Sequence, residues 1–65
     1  MKLKDAVLLY RANNRLSQKE FAAKCGVTPQ TIYNIETVGQ NPSKTTKVRI
    51  KVVLGNDYDI EDDDE

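Results

Sequence analysis

The 65-residue chain has no histidine and no tryptophan, one cysteine, one methionine, two prolines and three glycines. Each scarcity closes off a class of function. Without histidine there is no imidazole to serve as a base near neutral pH or to pair with a nucleophile. A lone thiol, Cys25, forms no internal disulfide, which suits a reducing cytoplasm, and supplies no metal-ligand cluster. Gly26, Gly39 and Gly55 are scattered, so no glycine-rich phosphate loop exists. No apolar stretch approaches the length of a membrane span, and Leu3 to Leu9 is interrupted by Lys4 and Asp5, unlike a signal peptide. The consecutive carboxylates after residue 60 lack the turn glycine of a calcium loop. An enzyme is therefore a poor reading, and no cofactor, metal or small-molecule substrate is expected.

What is present is charge, unevenly placed. The formal net charge is zero. Residues 1–56 hold ten basic and three acidic residues, a net of +7, while residues 57–65 hold seven carboxylates and no cation. A basic body is the electrostatic footprint of a nucleic-acid binder. The expected organisation is one domain over 1–56 and an acidic tail over 57–65, disordered from about Ile60 on because only Tyr58 and Ile60 could anchor it. A chain this short has a thin core, burying roughly 60% of its unfolded surface. The tail is either a solubilising segment or a competitor for cationic surface.

The densest signal lies between Leu16 and Glu36. Ser17-Gln18-Lys19-Glu20 is a capping box, with Leu16 at the staple position before it. Cys25-Gly26-Val27 ends one helix at a glycine able to take left-handed backbone, and Thr28-Pro29 starts another with a cap and a first-turn proline. Ala22 is small where two helices cross closely. Leu16, Phe21, Val27, Ile32 and Ile35 point inward, and Cys25 reads as a small core residue rather than a redox sensor. The spacing predicts helices over 17–25 and 29–37, a helix-turn-helix whose second helix carries polar side chains outward. An ordinary helical hairpin without a nucleic-acid role is the competing reading.

The flanks extend the pattern. Leu3, Ala6, Val7 and Tyr10 follow helical spacing, so residues 2–13 form an amphipathic helix whose apolar face Leu8 and Leu9 widen, ending at Asn13-Asn14. Val38 to Lys44 is a loop marked by Gly39 and Pro42. Residues 45–54 are ambiguous. Val48, Ile50 and Val52 alternate with Lys47, Arg49 and Lys51 as in a strand, whereas Thr46, Ile50, Val53 and Leu54 form a helical stripe.

From Lys2 to Leu54 the chain resembles the phage Cro/CI repressor class of helix-turn-helix proteins, also called the Xre class. Arg11, Leu16-Ser17-Gln18, Gly26-Val27, Ile32, Ile35-Glu36, Asn41-Pro42-Ser43 and Leu54-Gly55 carry the resemblance. It implies an all-α, compact four- to five-helix lambda-repressor-like domain, with helix at 45–54; a C-terminal strand or hairpin, as in some Cro proteins, is the alternative. The length leads to the expectation of a Cro-like module rather than a longer repressor of this class with its separate oligomerisation domain. The implied function is a cytoplasmic transcriptional regulator, a phage or prophage Cro-like repressor binding double-stranded DNA at an inverted-repeat operator as a homodimer. An antitoxin or antirepressor-like protein-interaction module is the rival.

The resemblance also implies site residues. Gln30 and Asn34, one turn apart, read bases, since an amide can pair with adenine at two points. Thr31 and Tyr33 flank them, and Pro29 stands where the family often has a reading side chain, so it offers only apolar contact. Phosphate contacts fall to Gln18, which also braces the first reading residue, and to Thr28, Thr37, Gln40, Asn41, Ser43 and Lys44, with Lys47, Arg15 and Lys19 assisting. Arg11 and Glu36 form a structural ion pair. Two departures stand out. Val38 replaces a common glycine, with Gly39 following, which points to a one-residue shift in the loop. The second helix of the motif carries no Arg or Lys.

Overall fold

A computed structural model of the protein describes residues 1–60. Among them there are four helices and no strand: α1 (Leu3–Asn14), α2 (Gln18–Cys25), α3 (Pro29–Tyr33), which runs on into a wide π-helical turn (Asn34–Val38), and α4 (Lys44–Leu54). The expected all-α helix-turn-helix architecture is the one observed. The acidic run after Ile60, with the expectation of disorder placed on it, lies outside the described residues.

The start signals act as read. The Ser17 hydroxyl accepts from the Glu20 amide at 3.0 Å and the Glu20 carboxylate accepts from the Ser17 amide at 2.8 Å, closing the capping box reciprocally. Thr28 caps α3 by accepting from the Thr31 amide at 3.3 Å, with Pro29 in the first turn. Ser43 does the same for α4, accepting from the Thr46 amide at 3.3 Å. Each cap satisfies one of the amides a helix start leaves without a partner. Helix α1 ends differently. Arg15 takes left-handed backbone at φ 54°, an uncommon conformation for a residue with a Cβ.

The core gathers Ala6 and Val7 from α1, Phe21, Ala22 and Cys25 from α2, Ile32 and Ile35 from the third helical segment, and Ile50 and Leu54 from α4. Val7, Phe21, Ile32 and Ile50 are fully buried, each stabilising the fold by roughly 1.5–3 kcal/mol relative to exposure. Tyr10 lies against Phe21 with ring centroids 5.5 Å apart. Leu16 and Val27 are half-buried against the same cluster. The apolar face of α1 is narrower than its sequence suggests. Leu8 and Leu9 remain 44% exposed, because the apolar packing of the helix runs along Leu3, Ala6, Val7 and Tyr10.

At 44–54 the helical stripe prevails over the alternation. Ile50 and Leu54, one turn apart, are buried, with Val53 against them, while Val48 and Val52 face outward. A strand would have put Val48, Ile50 and Val52 on one face, with no second strand to pair it. Beyond α4 the chain returns across α1. Tyr58 meets the Tyr10 ring edge-on at 6.4 Å, its hydroxyl accepts from Asn13 Nδ2 at 3.3 Å, and Ile60 packs on the core. The Met1 ammonium donates to the Asp59 carbonyl at 2.7 Å.

Two glycines hold left-handed turns that position the motif: Gly26 at φ 73° between α2 and α3, and Gly39 at φ 81° after the π turn. A Cβ on Gly26 would sit 3.1 Å from Arg49 Nη1, the movable end of a long side chain, and one on Gly39 would meet nothing within 4 Å. Backbone strain therefore sets both costs. Gly26→Ala and Gly39→Ala should each lower stability by about 1–2 kcal/mol, read as a drop in melting temperature of roughly 4–8 °C per kcal/mol. A much larger loss at Gly26 would show that Arg49 cannot give way.

Burial pushes the Cys25 thiol up to about 11 from its ordinary 9.0, with nearby Lys24 pulling the other way. Because the folded value is raised, the native state keeps a proton that the unfolded chain loses above about pH 9, so stability falls as pH rises through that window toward about 11. Urea titrations between pH 8 and 11 should show this slope, and Cys25→Ala should reduce it. Alkylation at pH 8 should be far slower in the native protein than in urea.

Candidate nucleic-acid interface

The α2–turn–α3 unit turns most of its apolar residues to the core and most of its polar ones outward. Gly26 turns the chain, the Val27 amide donates to the Ala22 carbonyl at 3.0 Å, and α3 leaves at once from Thr28. Ile32 and Ile35 face the core. The rest of the segment is thereby turned outward: Pro29, Gln30, Tyr33 and Thr37 are exposed, Thr31 and Asn34 half-exposed. Gln30 Nε2 donates to Asn34 Oδ1 at 3.0 Å, so the two amides form a unit across one turn. That bond leaves the Gln30 carbonyl oxygen and the Asn34 amide nitrogen to meet a ligand. Thr28 and Thr31 are tied hydroxyl to hydroxyl at 3.0 Å.

The third helical segment does not end as an ordinary α-helix. The Gly39 amide reaches back five residues to the Asn34 carbonyl, and the Gln40 amide bonds the same oxygen at 3.1 Å. A π turn accommodates one residue more than an α turn. It places Val38, 64% exposed, outside the fold while Ile35 stays in the core. The loop from Gln40 onward starts directly after this turn.

That loop brings distant sequence positions together. Thr31 and Asn34 line a groove of about 180 Å³ with Gln40, Asn41, Ser43 and Thr46. Five of the residues expected to touch DNA, Thr31 and Asn34 on the third helical segment and Gln40, Asn41 and Ser43 beyond it, therefore share one depression. The Ser43 hydroxyl, which caps α4 by accepting from the Thr46 amide, also donates to Thr46 Oγ1 at 3.0 Å. Lys44 is exposed in the first turn of α4 and does not line the groove.

Gln18, at the start of α2, is half-buried, and its Nε2 donates to Glu36 Oε1 at 2.9 Å. The same oxygen accepts from Arg11 Nη1 at 2.6 Å, and Arg11 Nε donates to the Leu16 carbonyl at 3.1 Å. Glu36 is 5% exposed at its side chain and Arg11 22%. The second oxygen of Glu36 is buried without a hydrogen bond. The pair joins α1 to the end of the third helix, and Gln18 adds the start of α2.

A feature missed at the sequence level is the position of Lys2 and Lys4. Together with Lys47 they border a second depression, of about 250 Å³, on the other side of the same loop. Only their charge hinted at a role, because they stand more than 30 residues from the loop they flank.

The family model for Helix-turn-helix, HTH_3, matches residues 7–59. The chain belongs to this Xre/Cro-CI type of helix-turn-helix proteins. Members of the family are DNA-binding transcription regulators and generally not enzymes. Neither the curated proteins nor the solved structures contain a significant match to the chain. Among the described residues no helix of this family member is long and apolar enough to cross a membrane.

The Arg11–Glu36–Gln18 cluster generates a stability test. Arg11→Ala would strand a buried carboxylate and should cost about 3 kcal/mol, the low end for a buried pair because Arg11 keeps some solvent. Glu36→Gln keeps an acceptor for Arg11 and Gln18 and should cost less, about 1–2 kcal/mol, as charge-assisted bonds become neutral ones. Urea unfolding of both variants checks the order.

Proposed function

We propose that the protein is a Cro-like repressor, of phage or prophage type, that binds an inverted-repeat operator as a homodimer. The third helical segment enters the major groove. The observation that carries this reading is the exposed Gln30–Asn34 amide pair beside the polar groove of Thr31, Gln40, Asn41 and Ser43. Paired amides match the acceptor and donor of adenine in the major groove. Thr31, Tyr33 and Pro29 flank them, Pro29 through apolar contact alone. Gln18, Thr28, Thr37, Gln40, Asn41, Ser43 and Lys44 contact phosphates and set the register, and the net +7 of residues 1–56 supplies the attraction.

A dimer follows from what one unit can read. A single short segment with two amides discriminates too few base pairs for useful specificity, and a two-fold pair doubles the site. The absence of Arg and Lys from the reading segment divides the labour. Uncharged side chains there discriminate bases, and cations on the flanks hold the backbone.

Selection from a random duplex pool should return inverted repeats with half-sites about one helical turn, ~34 Å, apart. Gln30→Ala or Asn34→Ala should weaken the selected site by about 1–3 kcal/mol and relax preference at one position per half-site, with melting temperature almost unchanged. Failure to select any sequence, or full discrimination by both variants, would refute this assignment.

A further inference from the structure

The loop around Gln40 and Asn41 separates two depressions that share Ile35, Gln40, Asn41 and Pro42. One holds Thr31 and Asn34 of the reading segment. The other holds Lys2 and Lys4 at the start of α1 and Lys47 on α4. No acidic residue lines this second cleft. Three lysines border one cleft with no carboxylate in its lining, which makes its potential positive and suited to an anion from outside. Long lysine stems allow the charges to converge on such a ligand. Gln40 and Asn41 add neutral hydrogen-bonding groups on the shared wall.

We infer that the Lys2–Lys4–Lys47 cleft is a further phosphate site, which takes a backbone phosphate of the DNA strand beyond those facing Gln40 and Asn41. The inference rests on the proposed DNA-binding role and extends its footprint from the reading segment to α1. A backbone that passes Asn34 and lies along Gln40 and Asn41 arrives at the lysines, because the same four residues wall both depressions. The site carries no base information. It strengthens binding to every sequence and sharpens the salt dependence, since each neutralised phosphate releases condensed counterions.

The test uses the full chain and its Lys2→Gln/Lys4→Gln variant on the duplex selected from a random pool. Phosphate ethylation interference on the wild type should mark at least one phosphate per half-site whose modification no longer matters to the variant. Affinity should fall about fivefold at low salt, equally for selected and random duplex. The slope of log affinity against log salt should become shallower by about 0.9 for each phosphate the variant no longer neutralises. Circular dichroism on both proteins confirms an unchanged fold. An identical ethylation pattern in the two proteins overturns the inference even if affinity falls, because the lysines would then act only through the general field. A wild type that binds no DNA overturns the proposed function itself, and with it this site; a wild type that binds normally while the variant keeps its footprint overturns the site alone.

Discussion

A single carboxylate oxygen, Glu36 Oε1, takes Arg11 from α1 at 2.6 Å and Gln18 from α2 at 2.9 Å. Three segments that share little sequence proximity are thereby tied at one point. The tie is directional, unlike the apolar core beneath it. Phe21, Ile32 and Ile50 supply the larger part of the stabilisation, but apolar contact tolerates rotation of one helix on another. A buried charge does not: its desolvation is offset only when its partners stand in the right place. The orientation of the third helical segment relative to α1 and α2 therefore depends on Glu36. Arg11 has a second task in the same geometry, holding the Leu16 carbonyl and so the connection between α1 and α2.

From that anchor the π turn follows. Glu36 and Ile35 must both face inward, and Gly39 must end the segment in left-handed backbone. The wide turn at Asn34–Val38 meets both conditions and leaves Val38 in solvent. The Asn34 carbonyl receives the closing amides of the turn while its side chain holds Gln30. One residue thus couples the end of the helix to its outer face. The loop that follows stays close enough to line a groove with Thr31 and Asn34, and α1 closes its other side with lysines.

The division between core and surface also explains the composition. Every core position of the motif is apolar, and the outward positions of the third helical segment are uncharged. Cations lie at the margins, on α1, α2 and α4. Such an arrangement is suited to holding a polyanion broadly through the flanking cations, with the uncharged strip between them left for base contacts under the proposed function.

Local chemistry made much of this protein legible in its sequence. Capping hydroxyls, a first-turn proline and a left-handed glycine act within four residues, so α2, the turn and the start of α3 follow from residues 17–29 alone. The helical stripe of Ile50 and Leu54 was legible too, but it competed with an alternation that only packing could reject: a helix buries that stripe against α2 and α1, whereas a strand there has no partner. Tertiary structure alone decided the exposure of Leu8 and Leu9, because the width of a buried face depends on how many neighbours a helix has. It decided that Gln18 faces Glu36, because a half-buried amide goes to the nearest buried charge. The meeting of Lys2 and Lys4 with Gln40, Asn41 and Lys47 was likewise a tertiary matter. Charge is readable in a sequence, but where it converges depends on which chain segments the core draws together.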